Sequence, residues 1–141
     1  MGYKTIHKIT LPLANSVVAA QGAVACIDRA TGSTKGKAVV AAVDTHLIPV
    51  GRFCSDLTGD GSTTIDIELF EPKRIQWLLN DAADTLTASD VGGLCYFASG
   101  GTVSVPADPS TYSVAGRVWI VEGAAGARIG IEIADKAAPS E

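Results

Sequence analysis

Apolar and polar side chains alternate at two places in the chain, and both places predict strands. In TTIDIELF (63–70) and ARIGIEI (127–133), isoleucine or leucine occupies every second position. A period of two is typical of a strand with one buried and one solvated face. KAVVAAV (37–43) is a further short strand-like run, and the glycine-rich stretches SDLTGDGST (55–63) and EGAAGAR (122–128) supply residues that hairpin turns need.

The alternating strands belong to a pattern that occurs twice. A glycine-arginine strand, a glycine-rich turn and an isoleucine-acid strand recur at an offset of 65 residues for the first element and 64 for the last. Upstream, AVACIDRATG matches GGLCYFASGG at an offset of 69, which aligns Cys26 with Cys95. Two copies predict an internal duplication, at about 23–69 and 92–133, although a solenoid would need more. The matched positions are Gly51, Arg52 and Glu68 in the first copy and Gly116, Arg117 and Glu132 in the second.

These patterns predict an all-β fold. We expect a compact small barrel or sandwich built from two similar β units, with short turns and at most one or two short helical turns, one of them capped by Thr87 and Asp90. The domain spans 14–134, preceded by an N-terminal arm or edge strand at 1–13 and followed by a flexible tail at 135–141. The segment 71–84 fits either a strand or a helix opened by proline.

Composition narrows the classes of function. The net charge of −4 gives no basic footprint for nucleic acid, and the sequence has no run of about eighteen apolar residues that would span a membrane. The three cysteines are odd in number and lack CxxC spacing, which indicates free thiols and synthesis in a reducing compartment. We therefore expect no nucleic-acid partner and no membrane partner.

Candidate chemistry is sparse. DLTGDG (56–61) resembles a calcium loop in composition, but its acids do not alternate as that motif requires, so a polar turn is the better interpretation. His7 and His46 stand outside any nucleophile motif, and neither GxGxxG nor a P-loop occurs. The sequence predicts no enzyme, no cofactor, and no catalytic, cofactor-binding or metal-binding residues.

Two groups of residues are candidates for structural or interface roles. Arg52 and Arg117 either form ion pairs with Glu68 and Glu132 or lie solvated on their strands. The N-terminal stretch alternates like a strand and has no counterpart in the repeat, so it either closes the barrel or adds to a neighbouring subunit. The candidate interface residues are Tyr3, Ile6, Ile9, Leu11, Trp77 and Trp119, and the candidate structural residues are Gly51, Arg52, Glu68, Gly116, Arg117 and Glu132.

Most of the chain, roughly 14–133, resembles the capsid decoration or cement proteins of tailed bacteriophages. The resemblance lies in three short motifs, none of them catalytic. They are a T-x-x-D-V-G-x-x-C-Y turn and strand (Thr87, Asp90, Val91, Gly92, Cys95, Tyr96), an S-x-A-G-x-V strand (Ser113, Ala115, Gly116, Val118), and a P-V-G-R strand with a T-G-x-x-G turn (Pro49–Arg52 and Thr58–Gly61). In that family the segment equivalent to 71–84 is extended, which favours the strand there.

The resemblance implies a non-enzymatic virion protein. Such a protein, made in the host cytoplasm, would bind the outer surface of the assembled capsid and bridge neighbouring major capsid protein subunits. It would associate with itself, as a homotrimer in the first place and as a dimer in the second. The alternatives are an ion- or carbohydrate-binding β module and another virion component, such as a tail-tube or head-completion protein.

Overall fold

A computed structural model of the chain describes residues 7–30, 32–71 and 73–134, and strands dominate them. Tyr3, Ile6 and the tail at 135–141 lie outside the described residues. The strands are β1 (Lys8–Pro12), β2 (Val18–Ala19), β3 (Val24–Asp28), β4 (Ala38–Val40), β5 (Leu47–Phe53), β6 (Leu57–Thr58), β7 (Thr64–Leu69), β8 (Ile75–Leu79), β9 (Leu94–Phe97), β10 (Val103–Ser104), β11 (Val114–Val121) and β12 (Arg128–Ile133).

The strands form two five-stranded antiparallel sheets and a small two-stranded one. The first sheet has the order β1-β7-β5-β3-β4, the second the order β8-β12-β11-β9-β10, and β2 pairs with β6. The described residues contain no α-helix, and their helical content is three single 3-10 turns, one more than expected. The all-β prediction is confirmed. The 3-10 turn Ala88–Asp90 carries the capping box that the sequence predicts.

The two large sheets repeat one another strand for strand. In each sheet, the strand that comes first in the sequence (β1 or β8) lies at one edge and pairs with the strand that comes last (β7 or β12). A strand of two or three residues (β4 or β10) lies at the other edge. Parallel bridges from Leu13 to Ala38 and from Asn80 to Val103 join the two edges of each sheet, so each sheet curls towards closure. We refer to β1–β7 as the first unit and β8–β12 as the second unit.

The register corrects one detail of the sequence alignment. Gly51 lies opposite Ala25 in the first unit, and Gly116 lies opposite Cys95 in the second. Cys95 is therefore equivalent to Ala25, and the offset of 69 that aligned it with Cys26 is wrong by one residue. Both units have the same irregularity at this point, because the strand register shifts just before Gly51 and just before Gly116.

Gly51 and Gly116 are buried where neighbouring backbones come together. A Cβ atom at Gly51 would lie 2.7 Å from the carbonyl carbon of Glu68, and one at Gly116 would lie 2.8 Å from that of Glu132. Contacts this short cannot be relieved by a side-chain rotation, because the obstructing atoms belong to backbone. The repeated glycine is thus required by the spacing of two strands in each unit.

The segment left open between strand and helix contains a strand. β8 pairs with β12 over its whole length, with Leu78 opposite Ile129, which confirms the extended alternative. β1 takes the corresponding place in the first sheet, with Leu11 opposite Ile65. The N-terminal stretch therefore includes an edge strand of the first sheet.

The hydrophobic core has two parts that are built differently. One lies inside the first unit and contains first-unit residues alone, among them Phe53, Ile65 and Ile67. The other combines the interior of the second unit with four buried residues from the first, namely Val24, Cys26, Ala41 and Leu47. β3 is consequently buried on both faces, and one face of the first unit completes the core of the second.

The repeated glycines give a direct test of this packing. We expect Gly51→Ala and Gly116→Ala each to lower the free energy of unfolding by about 3 kcal/mol, since a strand backbone must move to admit the methyl group. Gly123→Ala is the control, because the nearest atom there is the Ala127 methyl group in a turn. Urea denaturation measures all three variants. Equal free energies of unfolding would contradict the requirement for glycine at positions 51 and 116.

Candidate interaction surface

The two repeated arginines are held by glycine carbonyls. Arg52 Nη1 donates to Gly22 O at 2.9 Å, and Arg117 Nη1 donates to Gly92 O. The accepting glycines are themselves equivalent and have positive φ angles of 86° and 90°. Such a backbone favours glycine and turns the carbonyl towards the strand.

The predicted arginine-glutamate ion pairs do not form among the described residues. Arg52 lies directly opposite Glu68, and Arg117 lies opposite Glu132, but the salt bridges in this part of the chain join other residues. Each guanidinium instead bonds a backbone carbonyl that lies closer to it than the glutamate does. This bond avoids the free-energy cost of removing a carboxylate from water. The arginines are therefore tied to turns within their units.

Arg52 also connects the two units, and Arg117 has no equivalent contact among the described residues. Arg52 Nη2 donates to Trp77 O at 3.1 Å and to Gln76 Oε1 at 3.4 Å, both in β8. Its guanidinium lies 5.8 Å from the ring centroid of Phe70. Burial lowers the pKa of Arg52 from its usual value, although the pKa of an arginine remains far above neutrality.

Trp77 and Trp119 lie on the outer side of the second sheet, on the two strands that flank β12. Arg128 stacks on Trp77, with its guanidinium carbon 4.4 Å from the ring centroid. Trp119 Nε1 donates to Glu132 Oε1 at 3.1 Å. We call this region the tryptophan surface and define it as Trp77, Trp119, Ile120, Arg128 and Glu132.

Hydrogen bonds connect the side chains of the tryptophan surface to one another and to the neighbouring turn. Arg128 donates to both carboxylate oxygens of Glu122 at 3.0 Å, and this pairing raises the pKa of Arg128. Gly130 lies beneath, where an added Cβ would meet Ile120 and Trp77 at 3.1 and 3.2 Å. Both tryptophans thus have a charged partner within the chain, Arg128 for Trp77 and Glu132 for Trp119.

Large apolar side chains remain exposed at this surface. Trp119 is 44% exposed and Ile120 is 40% exposed, and Leu79, outside the defined surface at the end of β8, is 51% exposed. Exposed tryptophan and arginine side chains in one region are typical of protein interfaces. The outer side of the second sheet is therefore the candidate interaction surface.

The N-terminal candidates lie elsewhere. Ile9 and Leu11, on β1, are half-buried and pack against the core of the first unit. Tyr3 and Ile6 lie outside the described residues. The structure thus brings Trp77 and Trp119 together and places Ile9 and Leu11 at a separate edge.

Sequence reasoning missed three residues that organise this part of the molecule. Arg128 and Glu122 flank the turn 123–127, and the alternation in ARIGIEI indicated only that Arg128 points outwards. Asn80 is 2% exposed. Its side-chain amide donates to Leu86 O and Gly123 O and accepts a hydrogen bond from Leu86 N. A lone asparagine after an ambiguous strand carried no signal for that role.

The stretch 56–61, predicted as a polar turn, contains the short strand β6, and both of its acids accept hydrogen bonds from this chain. Asp60 accepts hydrogen bonds from Thr63 N at 2.6 Å, Ser62 N at 2.8 Å and Thr63 Oγ1 at 2.8 Å. These bonds, the one from Thr63 N first, lower the pKa of Asp60 to about 2. Asp56 accepts a bond from Gln21 N. The carboxylates thus stabilise the turn.

Other polar groups in the described residues are similarly engaged. A surface cavity of about 380 Å³ is lined by apolar side chains and by Asp28 and Asp44, but Asp28 already accepts bonds from Ala30 N and Thr34 Oγ1. Within the described ranges, no three histidine, cysteine or acidic residues cluster as a metal site would, and no helix is long and apolar enough to cross a membrane.

Comparisons with known proteins add no relative. No family model, no curated protein and no solved structure matched this chain.

The repeated arginines allow a matched test of the connection between the units. We expect Arg52→Ala to lower the free energy of unfolding by about 2 kcal/mol, since bonds to three acceptors in two units are lost. Arg117→Ala, which loses one bond at an exposed site, should cost less than about 1 kcal/mol. Thermal and urea unfolding measure both, and equal losses would contradict the role of Arg52.

The turn makes a pH-dependent prediction. We expect Asp60→Ala to lower Tm at neutral pH, because two backbone N–H groups lose their acceptor. The pKa of Asp60 is about 2 in the folded chain and 3.8 ordinarily, so the stabilisation is present above the ordinary value and disappears as the pH falls towards 2. The Tm difference from wild type, measured by calorimetry, should shrink across that window. Asp56→Ala, which removes an acceptor for one N–H, should have the smaller effect at neutral pH.

Proposed function

We propose that this chain is a non-enzymatic structural protein of a phage virion, which binds the outer surface of the assembled capsid and bridges neighbouring major capsid protein subunits. The proposal joins the sequence resemblance over 14–133 to the tryptophan surface. That surface is the observation that carries it, since it offers exposed tryptophan and isoleucine side chains beside a paired arginine to another protein.

The energetics of a shell favour such a component. A protein that binds assembled subunits and not free ones stabilises the assembly by mass action, and the effect grows with its concentration. Trp119 and Ile120 present apolar area, and Arg128 presents a guanidinium already paired with Glu122. Burial of such anchors supplies most of the binding energy in typical interfaces.

The rigidity of the β units suits a bridging role. Each sheet is curled so that its edge strands meet, and the cores contain tightly packed branched and aromatic side chains. A bridge between two subunits resists their separation only if the bridge itself does not deform. A net charge of −4 also gives the chain no attraction for the packaged nucleic acid.

Reconstitution with heads tests the proposal. Heads purified without this protein should lose their contents at a lower temperature than complete heads, and added wild-type chain should restore the higher temperature. We expect Ile120→Asp to weaken binding to heads at least tenfold, or about 1.4 kcal/mol, since it places a charge within the tryptophan surface.

Val18→Asp is the matched control, because Val18 is a β-branched residue on a strand and 67% exposed, but it lies in the small sheet of the first unit. It should bind heads like wild type. Equal binding by both variants would exclude the tryptophan surface as the contact, and heads that neither bind wild-type chain nor gain heat resistance would exclude the function.

A further inference from the structure

Exposed apolar side chains continue from the tryptophan surface to the turn before β9. Val91 in that turn is 46% exposed, and Leu94 at the start of β9 is 42% exposed. Trp119 and Ile120, on the neighbouring strand β11, are exposed to a similar extent. We call these four residues the apolar patch, which shares Trp119 and Ile120 with the tryptophan surface.

Strand pairing brings the members of the apolar patch together. Leu94 lies opposite Arg117 on β11, and Gly92 N donates to Val118 O at 2.7 Å, so the turn continues beside β11 and carries Val91 along it. The register between β11 and β12 shifts at this point, and two successive side chains of β11 are exposed there. The four apolar side chains therefore form one continuous area.

The first unit has the same backbone arrangement at this place. Gly22 N donates to Phe53 O at 2.9 Å, as Gly92 N donates to Val118 O. These matching bonds align the two turns. Three residues of the apolar patch have the following equivalents in the first unit: Gln21 for Val91, Cys54 for Trp119 and Ser55 for Ile120.

The fold does not require apolar side chains at these positions. Gln21 and Ser55 are exposed on the equivalent backbone of the first unit, where their polar side chains are in contact with water. The second unit exposes a valine and an isoleucine instead. Because exposed apolar patches mark interaction sites, the difference indicates a contact that the second unit makes and the first unit does not.

The fourth residue of the patch also differs from its equivalent. Leu94 lies opposite Arg117 as Val24 lies opposite Arg52, so the two apolar residues are equivalent. Val24 is 4% exposed, because it belongs to the core of the second unit. The chain thus covers this position in the first unit and leaves it open to a partner in the second.

The charged groups around the apolar patch are already bonded within the chain. Arg117 donates to a carbonyl of its turn, and Glu132 accepts a hydrogen bond from Trp119 Nε1. Asp90 accepts one from Thr87 N at 2.7 Å. A partner therefore gains little by placing opposite charges here, whereas apolar side chains gain free energy by leaving water.

We propose that the apolar patch docks on the major capsid protein, against a surface of apolar and uncharged side chains. The inference rests on the proposed function, and it adds Val91 and Leu94 to the contact and specifies the chemistry of the partner surface. The removal of apolar area from water supplies the attraction, so the affinity should depend only weakly on salt.

A matched pair of substitutions tests the site. We expect Val91→Gln to raise the dissociation constant for heads purified without this protein about fivefold, since less apolar area then leaves water. Val43→Gln is the control, because Val43 is also 46% exposed but lies in the loop after β4 of the first unit. Equal dissociation constants for the two variants would overturn the proposal.

An exchange between the units removes more of the patch on the same backbone. Val91→Gln combined with Ile120→Ser gives the second unit the residues of the first, so the double variant should keep the Tm and near-ultraviolet circular dichroism of wild type. It should bind heads more weakly than Val91→Gln alone, and binding as tight as that of wild type would overturn the proposal. If its Tm falls, Val91→Gln alone decides.

Salt tests the chemistry of the partner surface. Binding of wild type to heads should weaken less than about threefold between about 0.05 and 0.5 M sodium chloride, because the charges around the patch already have partners. A larger loss would overturn the apolar partner surface.

The outcomes separate this inference from the proposed function. Wild type that does not bind heads would refute the proposed function and this partner together. Binding of wild type that Val91→Gln leaves unchanged would refute the inference alone. Association of the chain with itself that Val91→Gln weakens, measured by sedimentation velocity without heads, would assign the patch to a second copy and overturn the proposal.

Discussion

The structure depends on burying one face of the first unit against the interior of the second. A β unit of roughly 60 residues buries only about 60% of its unfolded surface on its own, so it has little stability to spare. Here Val24, Cys26, Ala41 and Leu47 extend the second core into the first unit. β3 is thereby buried on both faces. Burial raises the pKa of the Cys26 thiol on β3, and it raises the pKa of the Cys95 thiol on β9 to about 12. Both thiols are consequently poor nucleophiles and serve as packing groups.

The two units contain equivalent parts, but the surroundings of these parts make their roles differ. Arg52 and Arg117 each secure a glycine turn within their own unit, yet only Arg52 lies against the other unit and gains acceptors in β8. Asn80 likewise occupies the position of Leu13 and forms a polar network where the first unit has an apolar side chain. Residues at equivalent positions thus differ in their bonding partners, Arg52 because it reaches the other unit and Asn80 because of the loops in its own unit.

The sequence predicted the features that depend on local pattern. The alternation in 63–70 and 127–133 identified β7 and β12, and the repeated glycine-arginine pair identified β5 and β11 as equivalents. The pairing of Cys26 with Cys95 failed because the matching of identical letters takes no account of the irregular register before Gly51 and Gly116. The ion pairs failed because the competing carbonyls of Gly22 and Gly92 come from turns whose position depends on the fold. Only part of the tryptophan surface could be predicted from the sequence, since the pairing of β8 with β12 is what brings Arg128 onto Trp77.

The joint between the units brings together two unlike surfaces, because the outer face of the first sheet packs against the interior of the second. Arg52 on β5 of the first unit adds polar bonds to β8 of the second. The exposure of Leu94, against the burial of Val24, follows from that difference. The first unit needs no such cover, because its own residues already bury Phe53, Ile65 and Ile67.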